Sequence, residues 1–177
     1  TGHAASLDAL ALAVLRQVCA SSDADGGAIA VREGASGIVQ TYLYVRATDA
    51  LKRLPLHASA GFAGVVMASG ELLSIEDAAD DVRRNRGVDE ALGVHVRTAF
   101  AVPLEGETED TLGALVLYNK RSGPFTDDDR ALVLLVAANV STAVRLQLSR
   151  EAREREERLG TIGKLLSGVL HDLKTPL

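Results

Sequence analysis

His171 is followed by Asp172 and, after Leu173 and Lys174, by Thr175 and Pro176. An imidazole is mostly neutral near pH 7, so one ring nitrogen keeps a lone pair able to attack phosphorus. The product would carry a high-energy N–P bond suited to onward transfer. A carboxylate next in the chain can accept the other ring proton as charge develops on the ring. Adjacent helical residues lie about 100° apart, so that contact depends on the rotamer. Thr175 falls one turn after His171 on the same face. Pro176 has no N–H for the Asp172 carbonyl and crowds it, which builds in a bend just past the histidine.

Other groupings carry less chemistry. Gly160-Thr161-Ile162-Gly163-Lys164 suggests a phosphate loop, but that pattern needs Gly five residues before the second Gly and Ser or Thr after the Lys. Arg158 and Leu165 hold those positions. Asn139-Val140-Ser141 is a formal glycosylation sequon inside an apolar helical pattern. No Ser-His-Asp set or carboxylate pair has supporting context. The single cysteine, Cys19, excludes an internal disulfide framework and a cysteine-based zinc site, and no metal site is expected.

The elements that must position these residues follow from periodicity. Leu7, Leu10, Ala11, Val14, Leu15 and Val18 predict a helix over about 6–21. A strand over 28–32, a turn at Glu33–Gly37 and a strand over 38–46 follow. In the second strand Val39, Thr41, Leu43 and Val45 alternate with Gln40, Tyr42, Tyr44 and Arg46. Residues 60–69 read as a short helix stopped by Gly70, and 72–75 as a short strand. The polar segment 76–93 reads as loop and weak helix, and 97–104 and 111–119 as two more strands. Thr126 is a good N-cap, with Asp127, Asp128 and Asp129 at the positive end of the helix dipole. No proline interrupts 126–175, too long a stretch for an ordinary globular helix. Its charged middle, 150–158, suits an exposed helix with ion pairs three and four residues apart. Beyond it Ala152, Leu159, Ile162, Leu166, Val169 and Leu173 follow the 3-4 alternation of a coiled-coil seam, with Arg155 out of character.

Composition narrows the function classes. The chain has 177 residues, 47% apolar and 24% charged: one soluble domain plus an appendage. A net charge of −5 argues against broad nucleic-acid binding, and an aromatic content of 3% without Trp against a base-stacking platform. The longest uninterrupted apolar run, 131–138, is far shorter than a membrane span, and no signal peptide is visible. A cytoplasmic location is expected.

The run His171-Asp172-Leu173-Lys174-Thr175-Pro176 resembles the phosphoacceptor box of bacterial sensor histidine kinases, in their dimerisation and histidine-phosphotransfer domain. Leu159 to Leu170 is similar to the first helix of that domain. The resemblance implies His171 as phosphoacceptor, Asp172 as general base and Thr175 as the residue that positions a water for dephosphorylating a partner. It also implies a parallel homodimer through the first and C-terminal helices, a response-regulator receiver domain as phosphate recipient, and ATP bound by a further domain beyond Leu177.

Residues 7–148 resemble a GAF domain. The resemblance rests on Gly61-Phe62-Ala63-Gly64-Val65-Val66 with Ser69-Gly70-Glu71 and Asp77. It continues in Leu92-Gly93-Val94-His95-Val96-Arg97-Thr98 with Ala101-Val102-Pro103-Leu104, in Leu112–Leu117, and in Phe125-Thr126-Asp127-Asp128-Asp129. It implies an α+β fold: a central antiparallel sheet flanked by helices, followed here by a long C-terminal signalling helix. The expected organisation is 1–6 disordered or a remnant, 7–148 sensor domain, 149–158 charged linker helix and 159–177 the first part of a phosphoacceptor helix. The family's ligand pocket should draw on Tyr42, Tyr44, Asp77, Arg83, Arg97 and Thr98. Its ligand stays open, and a domain with no bound molecule fits as well. Asn119-Lys120, Phe125 and Asp129 resemble the signature of cyclic-nucleotide-binding GAF domains, with Arg130 in place of the final Glu. Haem would need an axial ligand such as His57 or His95, each read as a loop or surface residue. A bilin would need a cysteine, and Cys19 lies in the first helix away from the pocket. The alternative to a kinase is a non-enzymatic ligand-binding GAF module controlling another output.

Overall fold

The apolar alternation of the strands resolves into a sheet buried on both faces. In the computed structural model, which describes residues 2–174 (side chains from Leu7), the elements run α1 (Gly2–Ser22), β1 (Ala24–Arg32), β2 (Ile38–Val45), β3 (Ala50–His57), α2 (Gly61–Ser69), β4 (Leu73–Ile75), α3 (Arg86–Leu92), β5 (Ala99–Glu105), β6 (Thr111–Lys120) and α4 (Asp127–Lys174). The six strands form one sheet in the order β3-β2-β1-β6-β5-β4. All its pairs are antiparallel.

Because successive strand residues point to opposite faces, β1, β2, β5 and β6 each feed two cores. On one face Ala28, Ala30, Val39, Leu43, Val45, Ala99, Ala101, Ala114, Val116 and Tyr118 pack with Phe62, Val66 and Met67 of α2 and Val88 and Leu92 of α3. On the other, α1 brings Leu15 towards Gly27 and Leu117, and the start of α4 brings Arg130 over the Phe100 ring, 5.8 Å from its centroid. Leu15, Phe100, Leu115, Leu117 and Val133 are all fully buried.

Local chemistry explains the element ends. Gly70 closes α2 in the left-handed region at φ 71°, its N–H donating to Val66 O. Asn85 caps α3 by accepting from Val88 N at 3.2 Å. At α4 the expected cap is present as a reciprocal pair: Thr126 Oγ1 accepts from Asp129 N, and Asp129 Oδ2 accepts from Thr126 N.

The structure differs from the sequence expectation in three places. Helix α1 begins at Gly2 rather than near residue 6, and β1 begins at Ala24 rather than Ala28. Strand β3 is absent from the periodicity reading. It pairs Ala50–His57 with Ile38–Val45 at the sheet edge, carries Pro55, and half-exposes its leucines. A proline fits an edge strand because it has no ladder hydrogen to donate. The chain divides into two units at Thr142/Ala143. In the second, every residue from Ala152 to Lys174 is helical and exposed.

Candidate functional site

Under α2 and α3 lies a cavity of about 20 Å³, room for one water molecule. Its floor is sheet: Ala28, Val39, Thr41, Leu56 and Tyr118. Its roof is the start of α2, from Ala60 to Ala63, with Arg84, Asn85, Val88, Asp89 and Val96. Asp89 is held on one side only: Arg84 Nε lies 3.4 Å and His95 Nδ1 3.6 Å from Oδ2. Oδ1 of Asp89 and Oγ1 of Thr41 are buried and have no hydrogen-bond partner among the described residues. Burial, and secondarily the Asp89 charge, pushes the Tyr118 phenol well above its ordinary value.

The six residues expected in the pocket are not brought together there. Tyr42 and Tyr44 lie on the opposite sheet face, a correction that follows from strand phase. Arg53 stacks over the Tyr42 ring at 5.6 Å, and Tyr44 donates its phenol hydrogen to Asp49 at 2.8 Å. Arg16 also binds Asp49; with Tyr44 it holds that carboxyl below the usual carboxylate range. Asp77 is an exposed turn residue that accepts from Ala79 N at 3.0 Å. Arg83 pairs with Asp81 instead, and its guanidinium holds that carboxyl down to about 2. Arg97 is exposed. Thr98 borders a separate depression of about 300 Å³ with Ser74, Glu76 and Phe125. His57 bonds Ser59 through Nδ1 at 2.7 Å, and its side chain is exposed. Cys19 is buried in α1, and burial pushes its thiol up to about 12, so it is no nucleophile at neutral pH. Among the described residues no three metal-ligating side chains cluster.

Sequence reasoning missed Thr41, Arg84, Asp89 and Tyr118. Thr41 had a usable signal. It is the one polar residue in the phase Val39, Thr41, Leu43, Val45, and therefore the hydroxyl that must be buried with the core.

Residues 4–145 match the GAF domain family. The chain belongs to that family. The GAF assignment agrees with the shape of solved structures at low sequence identity. The GAF domain of a phosphoenolpyruvate-protein phosphotransferase from Coxiella burnetii aligns with TM-score 0.69 at 17% identity, covering 82% of this chain and 86% of that one. A domain of a putative two-component sensor histidine kinase from Sinorhizobium meliloti aligns with TM-score 0.53 at 19% identity, covering 80% and 92%. A probable 3',5'-cyclic phosphodiesterase of Caenorhabditis elegans is 33% identical over 84 residues, which are 46% of this chain. The matched stretch spans only 11% of that protein.

In this GAF domain the residues resembling the cyclic-nucleotide signature bond to one another and to backbone, and none lines the cavity. Asn119 accepts from Arg97 N at 2.7 Å and Thr98 N at 3.1 Å, and donates to His95 O at 2.9 Å. Lys120 forms a nearly buried ion pair with Asp129. Burial pushes the Asp129 carboxyl up, but the bonds from Lys120 and Thr126 outweigh it and hold the group below its ordinary value. Phe125 packs on Phe100, ring centroids 6.0 Å apart.

The second unit carries the C-terminal box. His171 is 78% and Asp172 89% exposed at the side chain, with Nδ1 of the histidine 3.8 Å from Oδ1 of the aspartate. Thr175 and Pro176 lie outside the described residues. Helix α4 also contains an 18-residue window of mean hydropathy 1.7, long and apolar enough to cross a membrane by length and composition, with 28% of it buried. The expectation of no span rested on uninterrupted apolar residues; the window admits scattered polar ones.

Proposed function

We propose that this chain is the sensory and relay part of a cytoplasmic two-component sensor histidine kinase, with His171 as phosphoacceptor. The observation that carries the reading is the box His171-Asp172-Leu173-Lys174-Thr175-Pro176, which follows a GAF domain along the continuous helix α4. A domain of a putative two-component sensor histidine kinase with the same fold is consistent with this reading. A domain outside this sequence would bind ATP. Nε2 of His171 attacks the γ-phosphorus, the bond to the ADP oxygen breaks, and Asp172 takes the Nδ1 proton of the cationic ring. Thr175 would hold the water that removes phosphate from a response-regulator receiver domain.

The relay requires a homodimer. Leu159, Ile162, Leu165, Leu166, Val169, Leu170 and Leu173 are each between 47% and 73% exposed in the single chain. An apolar stripe of this length, in coiled-coil register, calls for a second copy of the same helix. In the GAF unit, Leu10, Val14, Val136 and Val140 line a groove of about 320 Å³ between α1 and the start of α4, and Leu134 and Leu135 are exposed. We assign that face to the same dimer.

The test is autophosphorylation of the full-length protein with labelled ATP. Wild type gains acid-labile, base-stable phosphate and His171→Gln gains none; equal labelling of both refutes the reading. A second reading, a non-enzymatic cyclic-nucleotide-binding module, draws on the resemblance to the phosphodiesterase. It predicts heat on titration with cyclic AMP or cyclic GMP and unchanged activity in His171→Gln.

A further inference from the structure

The cavity wall holds two polar atoms that the protein leaves unmatched. Thr41 is 3% exposed and Asp89 8% exposed. Thr41 Oγ1 and Asp89 Oδ1 have no partner among the described residues. A buried acceptor left this way costs about 1–3 kcal/mol, more when charged. The fold has not simply hidden Asp89. Its other oxygen lies 3.4 Å from Arg84 Nε and 3.6 Å from His95 Nδ1, which fixes the carboxylate by one edge and leaves the other edge open. Thr41 lies across the cavity on β2, where its alternate neighbours Val39 and Leu43 are apolar. Val39, Leu56, Phe62, Val88 and Val96 form the apolar part of the wall, and Arg84, Asn85 and Tyr118 the rest of its polar part.

We propose that this cavity receives a small ligand with an apolar body and an N–H donor head, an amine or primary amide, which donates to Asp89 Oδ1 and Thr41 Oγ1. The two acceptors set the head, and the apolar part of the wall sets the body. An anionic head, including the phosphate of a cyclic nucleotide, meets the open carboxylate edge and is disfavoured. The observed volume admits one water, so a ligand enters as the start of α2 parts from the 84–89 segment. The two touch where Gly61, at φ 66°, faces Asn85; a Cβ there would lie 3.3 Å from the asparagine Cβ. The inference rests on the sensory reading of the domain and is independent of the kinase reading.

The experiment is a methyl-resolved NMR titration of the 177-residue chain with four probes of one shape: isobutyramide, isobutylamine, isobutyrate and methyl isobutyrate. The amide and the amine shift the methyls of Val39, Val88 and Val96 and saturate. The two probes without N–H bind at least roughly tenfold more weakly. Thr41→Val weakens the amide by a similar factor. In Asp89→Asn the Arg84 guanidinium keeps the amide oxygen, so the NH2 group occupies the open edge and preference reverses towards isobutyrate. That reversal is one a merely structural role for Asp89 would not produce. Isobutyrate binding wild type as tightly as isobutyramide, or Thr41→Val leaving the amide affinity unchanged, overturns the proposal. So does the absence of methyl shifts with any probe up to about 20 mM. His171 labelling does not depend on this result, so the two failures are read separately.

Discussion

Replacing Asn119 tests whether the signature-like residues of β6 are structural. The side chain is 1% exposed and makes three hydrogen bonds to the 95–98 backbone. Its own backbone sits at φ 56°, in the left-handed region that Asn tolerates and Ala does not. In Asn119→Gly the conformation is kept and the bonds are lost; at roughly 1 kcal/mol or a little more per bond, the cost is about 3–4 kcal/mol. Asn119→Ala loses the same bonds and adds about 1 kcal/mol of backbone strain. The expected order of stability is wild type, Gly, Ala, with the Gly variant melting about 10 °C lower. Urea unfolding followed by tyrosine fluorescence reads the series. A Gly variant within about 0.5 kcal/mol of wild type, or Ala as stable as Gly, refutes the reasoning.

Gly113→Ala should abolish soluble expression, because its Cβ would lie 1.8 Å from Ala30 O in the β1–β6 ladder; a folded, dispersed NMR spectrum would contradict this. Lys120→Met leaves the buried Asp129 carboxylate without its cation and should cost about 3–5 kcal/mol at pH 7. Asp129 is held below its ordinary value in the fold, so its contribution is present above the unfolded carboxylate value and is lost as pH falls through the folded one. The variant and wild type should therefore converge in urea midpoints as pH drops below about 4, and a gap independent of pH would refute the assignment. Light scattering should give twice 18.6 kDa for the chain at about 50 µM, and Leu159→Glu with Leu166→Glu should return it to a monomer; a wild-type monomer at that concentration removes the seam.

What was legible in the sequence depended on whether the physics was local. The cap at Thr126, the stop at Gly70 and the strands β2, β5 and β6 follow from short-range pattern and turn chemistry, and the structure has them. The sheet's two cores defeated the reading of the site. A strand buried on one face separates polar from apolar, and that logic assigns Tyr42 and Tyr44 to a pocket. Strand β2 is buried on both faces from Thr41 to Val45, so tyrosine marks one core and the lone threonine marks the cavity. Arg83 illustrates a second limit. The pattern offers several acids within reach of it, and only coordinates show that Asp81, two residues back, takes it. Asp89 illustrates a third. Its neighbours in space come from the 93–98 segment and from β6, which no helical period of α3 reveals.

The end of β6 shows how this fold both walls a cavity and holds the start of a long helix. Strand alternation and one turn of irregular backbone send three successive residues to three places. Tyr118 enters the cavity wall. Asn119, turned by its positive φ, gathers the backbone of His95, Arg97 and Thr98, and with it positions Val96, another wall residue. Lys120 reaches the first turn of α4 and binds Asp129, which also closes the cap on Thr126. None of the three could exchange roles. The first must lie in phase with Val116 and Ala114, the second must tolerate the left-handed region, and the third must carry a cation on a stem long enough to reach the helix end where acids gather. That division of labour accounts for Asn119, Lys120 and Asp129 of this chain in terms of geometry, with no ligand contact required of any of them.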